Sequence, residues 1–414
     1  MNRSNGGGTG IGAGVGTGAG AGTGGGANLL APRSHNTALV LDLLRTAGGE
    51  GISRLELAER TGLTPQAVSK ITARLRGEGL AVEAGRRAST GGKPRTVLRL
   101  VPGAGHALGV HLDRDELRAV LVDLDGTVLG ERCAPLDLGA GAETVLEEVA
   151  RAAEGLESSV PGERGPAPAV VEGVRSPGGP LGAVPTLLGL GVALPGPLDH
   201  VRGVLHRVTG FPEWDGYPLR DALERRLGVP VVVDKDTNAA ALGLAVGGAG
   251  GGEDGTGSGS FAYLHLGTGL GAGLVFGGGV HRGARTGAGE FGHQVVQLDG
   301  PPCTCGARGC IEALCLAAVA RGDLAEAARV LGTGAANLAG LLDIDLVLLG
   351  GRTVAAAPEA FVQGVGAVLG ARARREGGHD GAVPVRLAPG GTRGVAEGAA
   401  QLLLAPLFGR GEGG

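Results

Sequence analysis

Apolar residues recur at helical spacing near the start of the chain and at strand spacing beyond it. Leu39, Val40, Leu43 and Leu44 share a helical face, apolar positions return over 55–58, and Val68, Ile71 and Leu75 follow, so residues 35–82 read as short helices. From about Ala107 the pattern changes. Segments 108–112 and 117–124 read as strands, and Asp125-Gly126 is a hairpin turn leading into a third over 127–133. Strands over 187–193, 230–233, 261–266 and 346–349 then alternate with helix-like stretches over 142–155, 218–227, 237–245 and 358–376. A hairpin run followed by strands mixed with helices predicts an α/β body of two lobes.

Composition narrows this picture. The chain has 414 residues, 86 of them glycine and nine aromatic, which is long enough for two or three domains with a sizeable core. No window approaches the roughly 18 consecutive apolar residues of a membrane span, and Arg3 runs into glycine rather than an apolar leader core. Three of the five cysteines crowd into 303–310, which suits a metal site in a reducing compartment better than a disulfide framework. Membrane, secreted and collagen-like classes are therefore excluded, and a cytoplasmic protein is expected. Residues 1–30 are a Gly-rich tail that cannot offset its ordering entropy by burial. Loose segments are expected near 157–184 and 247–260.

Charge divides the chain. The net charge is −4, yet residues 51–100 hold ten Lys/Arg and four Asp/Glu, a local +6, leaving −10 elsewhere. Ser53 and Glu56 form a capping-box pattern at the start of one short helix, Thr61-Gly62-Leu63 makes a tight turn, and Thr64-Pro65 opens a second helix running to about Arg76. That is helix-turn-helix spacing, with Gln66, Ser69, Lys70 and Arg74 placed to reach DNA. After Leu80 a strand pair carrying Arg86, Arg87, Lys93 and Arg95 around a Gly-rich tip reads as a basic wing suited to phosphates. A DNA-binding module over 31–101 is expected.

His293, Cys303, Cys305 and Cys310 offer one imidazole and three thiolates, the donor set of a closed, structural Zn2+ site. Cys133 and Cys315 read as small core residues.

Glu290-Phe-Gly-His293 followed by Cys303-Thr-Cys-Gly-Ala-Arg-Gly-Cys310-Ile-Glu312 resembles the signature of the ROK family (repressors, open reading frames and kinases). The resemblance extends through Pro195-Gly196-Pro197, Trp214, Asp236-Thr-Asn238, Gly267-Thr-Gly269-Leu-Gly271 and Leu349-Gly350-Gly351. It implies a fold in which the winged helix-turn-helix precedes a two-lobed actin-like (ribonuclease-H-like) domain over 102–414 that closes on a sugar. It also implies sugar contacts from Gly196, Lys235, Asp236, Glu290, His293 and Glu312, with Asp236 matching the base of the kinase members.

Several positions depart from the kinase pattern. The phosphate-cradling Asp-x-Gly-Gly-Thr loop of those members is replaced by His111-Leu-Asp113-Arg114-Asp115, whose carboxylates repel a triphosphate. Lys235 stands where the family has a sugar-binding Asn, and is expected either to pair with Asp236 or to select an anionic ligand. Segment 313–340 reads as shortened by a helix or two. The expected protein is thus a non-catalytic, sugar-responsive transcriptional regulator, binding operator DNA as a homodimer or higher even oligomer, with no membrane partner. A sugar kinase carrying a DNA-binding domain and a ligand-blind DNA-binding protein are the alternatives.

Overall fold

The computed structural model describes residues 33–87, 95–158, 186–208, 211–248, 259–377 and 382–410. The tail over 1–30, the wing tip, and nearly all of the expected loose segment over 157–184 lie outside them, as do residues 249–258.

The first module assembles on the expected local signals. Ser34 caps α1 (His35–Thr46). After β1 (Ile52–Ser53), Ser53 and Glu56 form a reciprocal capping box at the start of α2 (Arg54–Thr61). Gly62 ends that helix in the left-handed conformation, at φ 69°, and Thr64 caps α3 (Pro65–Gly77) with Pro65 in its first turn. Strands β2 (Ala81–Arg87) and β3 (Arg95–Leu100) complete a sheet of order β1-β3-β2.

The first lobe is a meander of β4 (Gly105–Leu112), β5 (Glu116–Asp123) and β6 (Val128–Pro135), then α4 (Ala142–Glu157) and β7 (Thr186–Leu194), which returns parallel to β4. A ribbon of β8 (Leu198–Asp199) and β9 (Val204–Leu205) leads to α5 (Leu219–Leu227) and then β10 (Val231–Lys235), which pairs with β7. Helices α4 and α5 cover one face with Trp214, whose indole N–H donates to Leu138 O at 2.9 Å. Helix α6 (Asp236–Val246) carries the chain into the second lobe: β11 (Phe261–Leu266), β12 (Leu270–Phe276), β13 (Gly279–Val280), α7 (Ile311–Ala320), α8 (Leu324–Leu342), β14 (Leu346–Gly350), α9 (Arg352–Ala356), α10 (Pro358–Glu376) and β15 (Val385–Leu387). Its sheet order is β13-β12-β11-β14-β15. Leu346 and Leu348 face α6, while Val347 and Leu349 face α7, α8 and α10, the two-sided burial of a central parallel strand. Segment 313–340 spans most of α7 and α8.

The last helix, α11 (Gly394–Leu407), binds the parts together. It lies on the first-lobe sheet and crosses α6, which lies on the second-lobe sheet. The crossing is made of glycine and alanine. A Cβ on Gly109 or Gly191 would overlap the Ala396 or Ala399 carbonyl, and one on Gly398 would overlap the Ala239 carbonyl. The far end of α11 meets the first module, where Leu403, Leu404, Leu407 and Phe408 join the same apolar cluster as Leu41 and Leu44 of α1, and Leu80 and Leu100. Arg45 stacks 4.7 Å over Phe408, and Arg410 pairs with Asp42 at 2.7 Å. Cys315 is buried as expected, whereas Cys133 is exposed on the edge strand β6 and belongs to no core, because successive residues of an edge strand alternate toward solvent. Among the described residues no helix is long and apolar enough to cross a membrane.

Gly398→Ala should lower stability by about 1–3 kcal/mol, the usual cost of overpacking. Gly366→Ala in α10, where an added Cβ meets nothing within 4 Å, should leave stability unchanged or raise it by up to about 1 kcal/mol. Calorimetric unfolding of the pair checks both.

Candidate functional site

The two lobes face each other across a cleft lined by Gly196, Lys235, Asp236, Glu290, His293 and Glu312, together with Asp113, Arg114, His265, Thr268 and Gly269. Every expected ligand-binding residue is therefore on one surface. The β10-to-α6 junction delivers Lys235 and Asp236 in succession, Glu290 precedes a 3-10 turn over Phe291–His293, and Glu312 sits in the first turn of α7.

Each carboxylate has a different situation. Asp236 accepts from its neighbour's amide, Thr237 N, at 2.6 Å. Glu312 accepts from Leu270 N at 2.8 Å, which joins α7 to the turn between β11 and β12. Glu290 is held through Oε1 by the Lys235 ammonium at 3.1 Å, and the same ammonium donates to Ala288 O. The side chain of Lys235 is only 3% exposed and lies across Gly196. Of the two expected alternatives, the pairing with Asp236 is not made: its partner is Glu290, because its aliphatic stem is directed over Gly196 toward the 288–290 strap.

That strap has a second anchor that sequence reading missed. Asp234 accepts from Lys235 N and Asn238 Nδ2 through Oδ1, and from Arg282 Nε at 2.8 Å through Oδ2. With its side chain 2% exposed, Asp234 is a fully engaged buried acid joining the lobes. Beneath the cleft, His111 of β4 meets His265 of β11 edge to face at 6.2 Å. Burial pushes His111 below the usual imidazole pKa, against the pull of Asp236, so the ring is neutral near pH 7.

At the opposite rim the β4–β5 turn crosses to the second lobe. Thr268 Oγ1 donates to Asp113 Oδ1 at 2.7 Å, and Arg352 pairs with Asp115 through two bonds of 2.6 and 3.0 Å. Burial alone would raise the Asp113 carboxyl, but the Thr268 bond and the nearby His111 and Arg352 hold it below the usual carboxylate range. Arg114 stacks 6.0 Å over Phe211.

His293, Cys303, Cys305 and Cys310 bring their ligand atoms within 4.8 Å of one another, and can hold a metal ion. His293 Nδ1 is 3.6 Å from Cys303 Sγ, and Cys305 Sγ is 3.7 Å from Cys310 Sγ. Gly306 and Gly309, at φ 92° and 67°, fold the backbone around the cluster. Burial, reinforced by the Cys305 and Cys303 thiols, pushes Cys310 up to about 12. Thiols packed this closely do not ionise together unaided, and a bound cation is the physical means of making them do so.

On the first module Gln66, Ser69, Lys70 and Arg74 are exposed along α3, and Arg86 and Arg95 are exposed on the strand pair. Arg74 is paired with Glu78 at 2.7 Å. Arg87 lies opposite Arg95 in the register, and Lys93 lies outside the described residues.

Comparison with known proteins agrees with this geometry. A model of the ROK family matches residues 181–319. The chain is 27% identical over 262 residues to a protein named putative xylose repressor from Caldicellulosiruptor sp. (strain Rt8B.4), covering 63% of this chain and 59% of that one. It is 30% identical over 279 residues to the DNA-binding transcriptional dual regulator NagC of Escherichia coli (strain K12), covering 67% and 62%. The alignments thus span about three-fifths of these curated relatives. Among solved structures, a ROK hexokinase from Thermus thermophilus is 30% identical, covers 71% of this chain and 96% of its own, and has a TM-score of 0.51. A ROK family transcriptional regulator described as a homolog of the E. coli MLC protein reaches a TM-score of 0.67 over 91% of this chain and 97% of its own at 20% identity. The body has the expected two-lobed actin-like fold.

Removing metal with a chelator should lower the melting temperature, and Cys305→Ala should both lower it and abolish the chelator's effect. Native mass spectrometry should find one metal ion per chain before chelation and none after it.

Proposed function

The chain belongs to the ROK family, and from that premise we propose that it is a sugar-responsive DNA-binding transcriptional regulator, acting as a repressor in the cytoplasm. The observation that carries this reading is the exposed polar and basic face of α3 and the strand pair on a module whose core is continuous with α11. Gln66, Ser69 and Lys70 occupy the N-terminal half of α3, where a recognition helix reads base edges. Arg86, Arg87, Lys93 and Arg95 serve the phosphates. Arg74, held by Glu78, is a secondary contact.

Sugar recognition needs several fixed donors and acceptors, because a buried unpaired hydroxyl is costly. Asp236, Glu290, Glu312 and His293 supply them around one cleft, with Gly196 and Lys235 beside them. A ligand that favours one closure state shifts the lobes and, through α11, the module. In a two-fold dimer this alters the spacing of the two recognition helices, which must match half-sites about one helical turn apart. The metal is taken as structural Zn2+. A tetrahedral ion with metal–sulfur bonds of about 2.3 Å sets sulfur–sulfur edges of about 3.8 Å, close to the Cys305–Cys310 separation of 3.7 Å. Four protein ligands leave it no open position for catalysis, and its task is to brace Glu290 and Glu312.

The second reading is a sugar kinase, favoured by Asp236 in the cleft beside the Gly267-Thr268-Gly269 turn. Against it stand Asp113 and Asp115, which replace residues of the phosphate loop of the kinase members and whose carboxylates would repel a triphosphate.

Titrating the protein against DNA from its own upstream region at two salt concentrations, with neutral, amino and phosphorylated sugars, tests the reading. Tight, salt-sensitive binding released by one sugar is expected, and Arg95→Ala should flatten the salt slope by about one unit. Absence of DNA binding together with sugar-dependent ADP release would replace it with the kinase. DNA binding indifferent to every sugar would leave a ligand-blind regulator.

A further inference from the structure

Where the first module meets the body there is a cavity of about 340 Å³ that shares no lining residue with the cleft. Small-molecule sites run from roughly 300 to 1,000 Å³, so its size suits a ligand of about a dozen heavy atoms or fewer. Arg45 of α1 lines it from the module, the Asp125-Gly126 turn from the first lobe, and α6 and α11 from the crossing between the lobes. Two buried polar atoms of its lining have no hydrogen-bond partner among the described residues. One is an acceptor, Gln401 Oε1, on a residue 9% exposed; the other is a donor, Arg45 Nε, on a side chain 9% exposed. Buried polar groups are nearly always satisfied, and two of opposite kind at one cavity call for a molecule that serves both. The Gln401 amide stands against the turn, since a Cβ on Gly126 would come 3.2 Å from its Nε2.

The charge around the cavity is negative. Arg45 is engaged by Asp42 at 3.1 Å and by the Phe408 ring, and Glu397 Oε1 is held by Arg393 at 3.2 Å. Asp125 has no such partner among the described residues, and burial together with the nearby Asp123 pushes its carboxyl above the usual range, against the pull of Arg45. We propose that this junction cavity binds a small amino alcohol, with its ammonium on Asp125 and Gln401 Oε1 and a hydroxyl accepting from Arg45 Nε. An ammonium only donates, whereas a hydroxyl both donates and accepts, so one molecule of this class answers two acceptors and a lone donor. A ligand held there touches the module, the first lobe and both crossing helices at once, and so clamps the module to the body.

The test needs neither DNA nor a cleft ligand, so it can fail while the regulator reading stands, and the reverse. The full chain is titrated calorimetrically with 1-amino-1-deoxysorbitol, sorbitol and gluconate, which share one hydroxylated chain and differ in a single terminal group. Saturable binding of the amine is expected, at least about tenfold tighter than that of sorbitol because its bond to the carboxylate is charge-assisted, with no binding of gluconate. The amine should also raise the melting temperature, as any ligand of the folded state must. Asp125→Asn preserves a turn-forming Asn-Gly pair, and both it and Gln401→Leu should weaken the amine at least about tenfold through loss of a bond to the charged group. Asp236→Asn, in the cleft, should bind the amine as the wild type does. Equal binding of amine and sorbitol, binding that survives either junction substitution, or loss of binding in Asp236→Asn overturns the proposal. Absence of saturable binding also overturns it and assigns the cavity to water.

Discussion

Two helices without bulky side chains at their contact hold this molecule together. Where α6 and α11 cross, Gly243 and Gly398 approach so closely that a Cβ on Gly243 would come 2.9 Å from the Gly398 Cα. The sheets of the two lobes each rest on one of these helices, Gly109 and Gly191 admitting α11 and Gly273 admitting α6. Close backbone approach of this kind leaves few side chains to rearrange at the crossing, so the contact between the lobes is short and stiff. The cleft depends on that geometry. Lys235 and Asp236 stand at the start of α6, while Glu290, His293 and Glu312 come from the opposite lobe.

Around this pivot the rims are tied by charge. On one side the Arg282–Asp234 and Lys235–Glu290 pairs strap the 281–290 loop to the first lobe. On the other, Asp113 and Asp115 reach Thr268 and Arg352. Buried members such as Asp234 would be costly if left alone, whereas the exposed Asp115 contributes little by itself. The enclosed contacts therefore do most to hold the two rims together in this structure.

Much of this was legible in the residues. Ser53, Glu56, Gly62, Thr64 and Pro65 announce their helices by chemistry confined to a few positions, and the strands from β4 to β6 follow alternation and a single Asp-Gly turn. The Cys303–Cys310 spacing likewise carries its own geometry. Helices α7 and α11 did not announce themselves. Helix α11 is buried nearly all round and α7 is apolar on its half-buried faces too, so neither has a polar stripe, and without that stripe a 3.6-residue period is invisible. The Lys235–Glu290 pair is not legible in the sequence, because Asp236 is adjacent while Glu290 is 55 residues away. Arg352 and Asp115, 237 residues apart, left no trace that spacing could detect.

The cluster that Leu403, Leu404, Leu407 and Phe408 share with Leu41 and Leu44 sets an order on biosynthesis. A chain emerges from the ribosome N-terminus first, and its early domains ordinarily fold before the rest is made. Here the outer face of α1 is covered by the end of α11, which is translated roughly three hundred residues after the module's last strand. An unfinished nascent chain therefore carries a module whose helices and sheet already pack on one another but whose α1 still turns an apolar face to water.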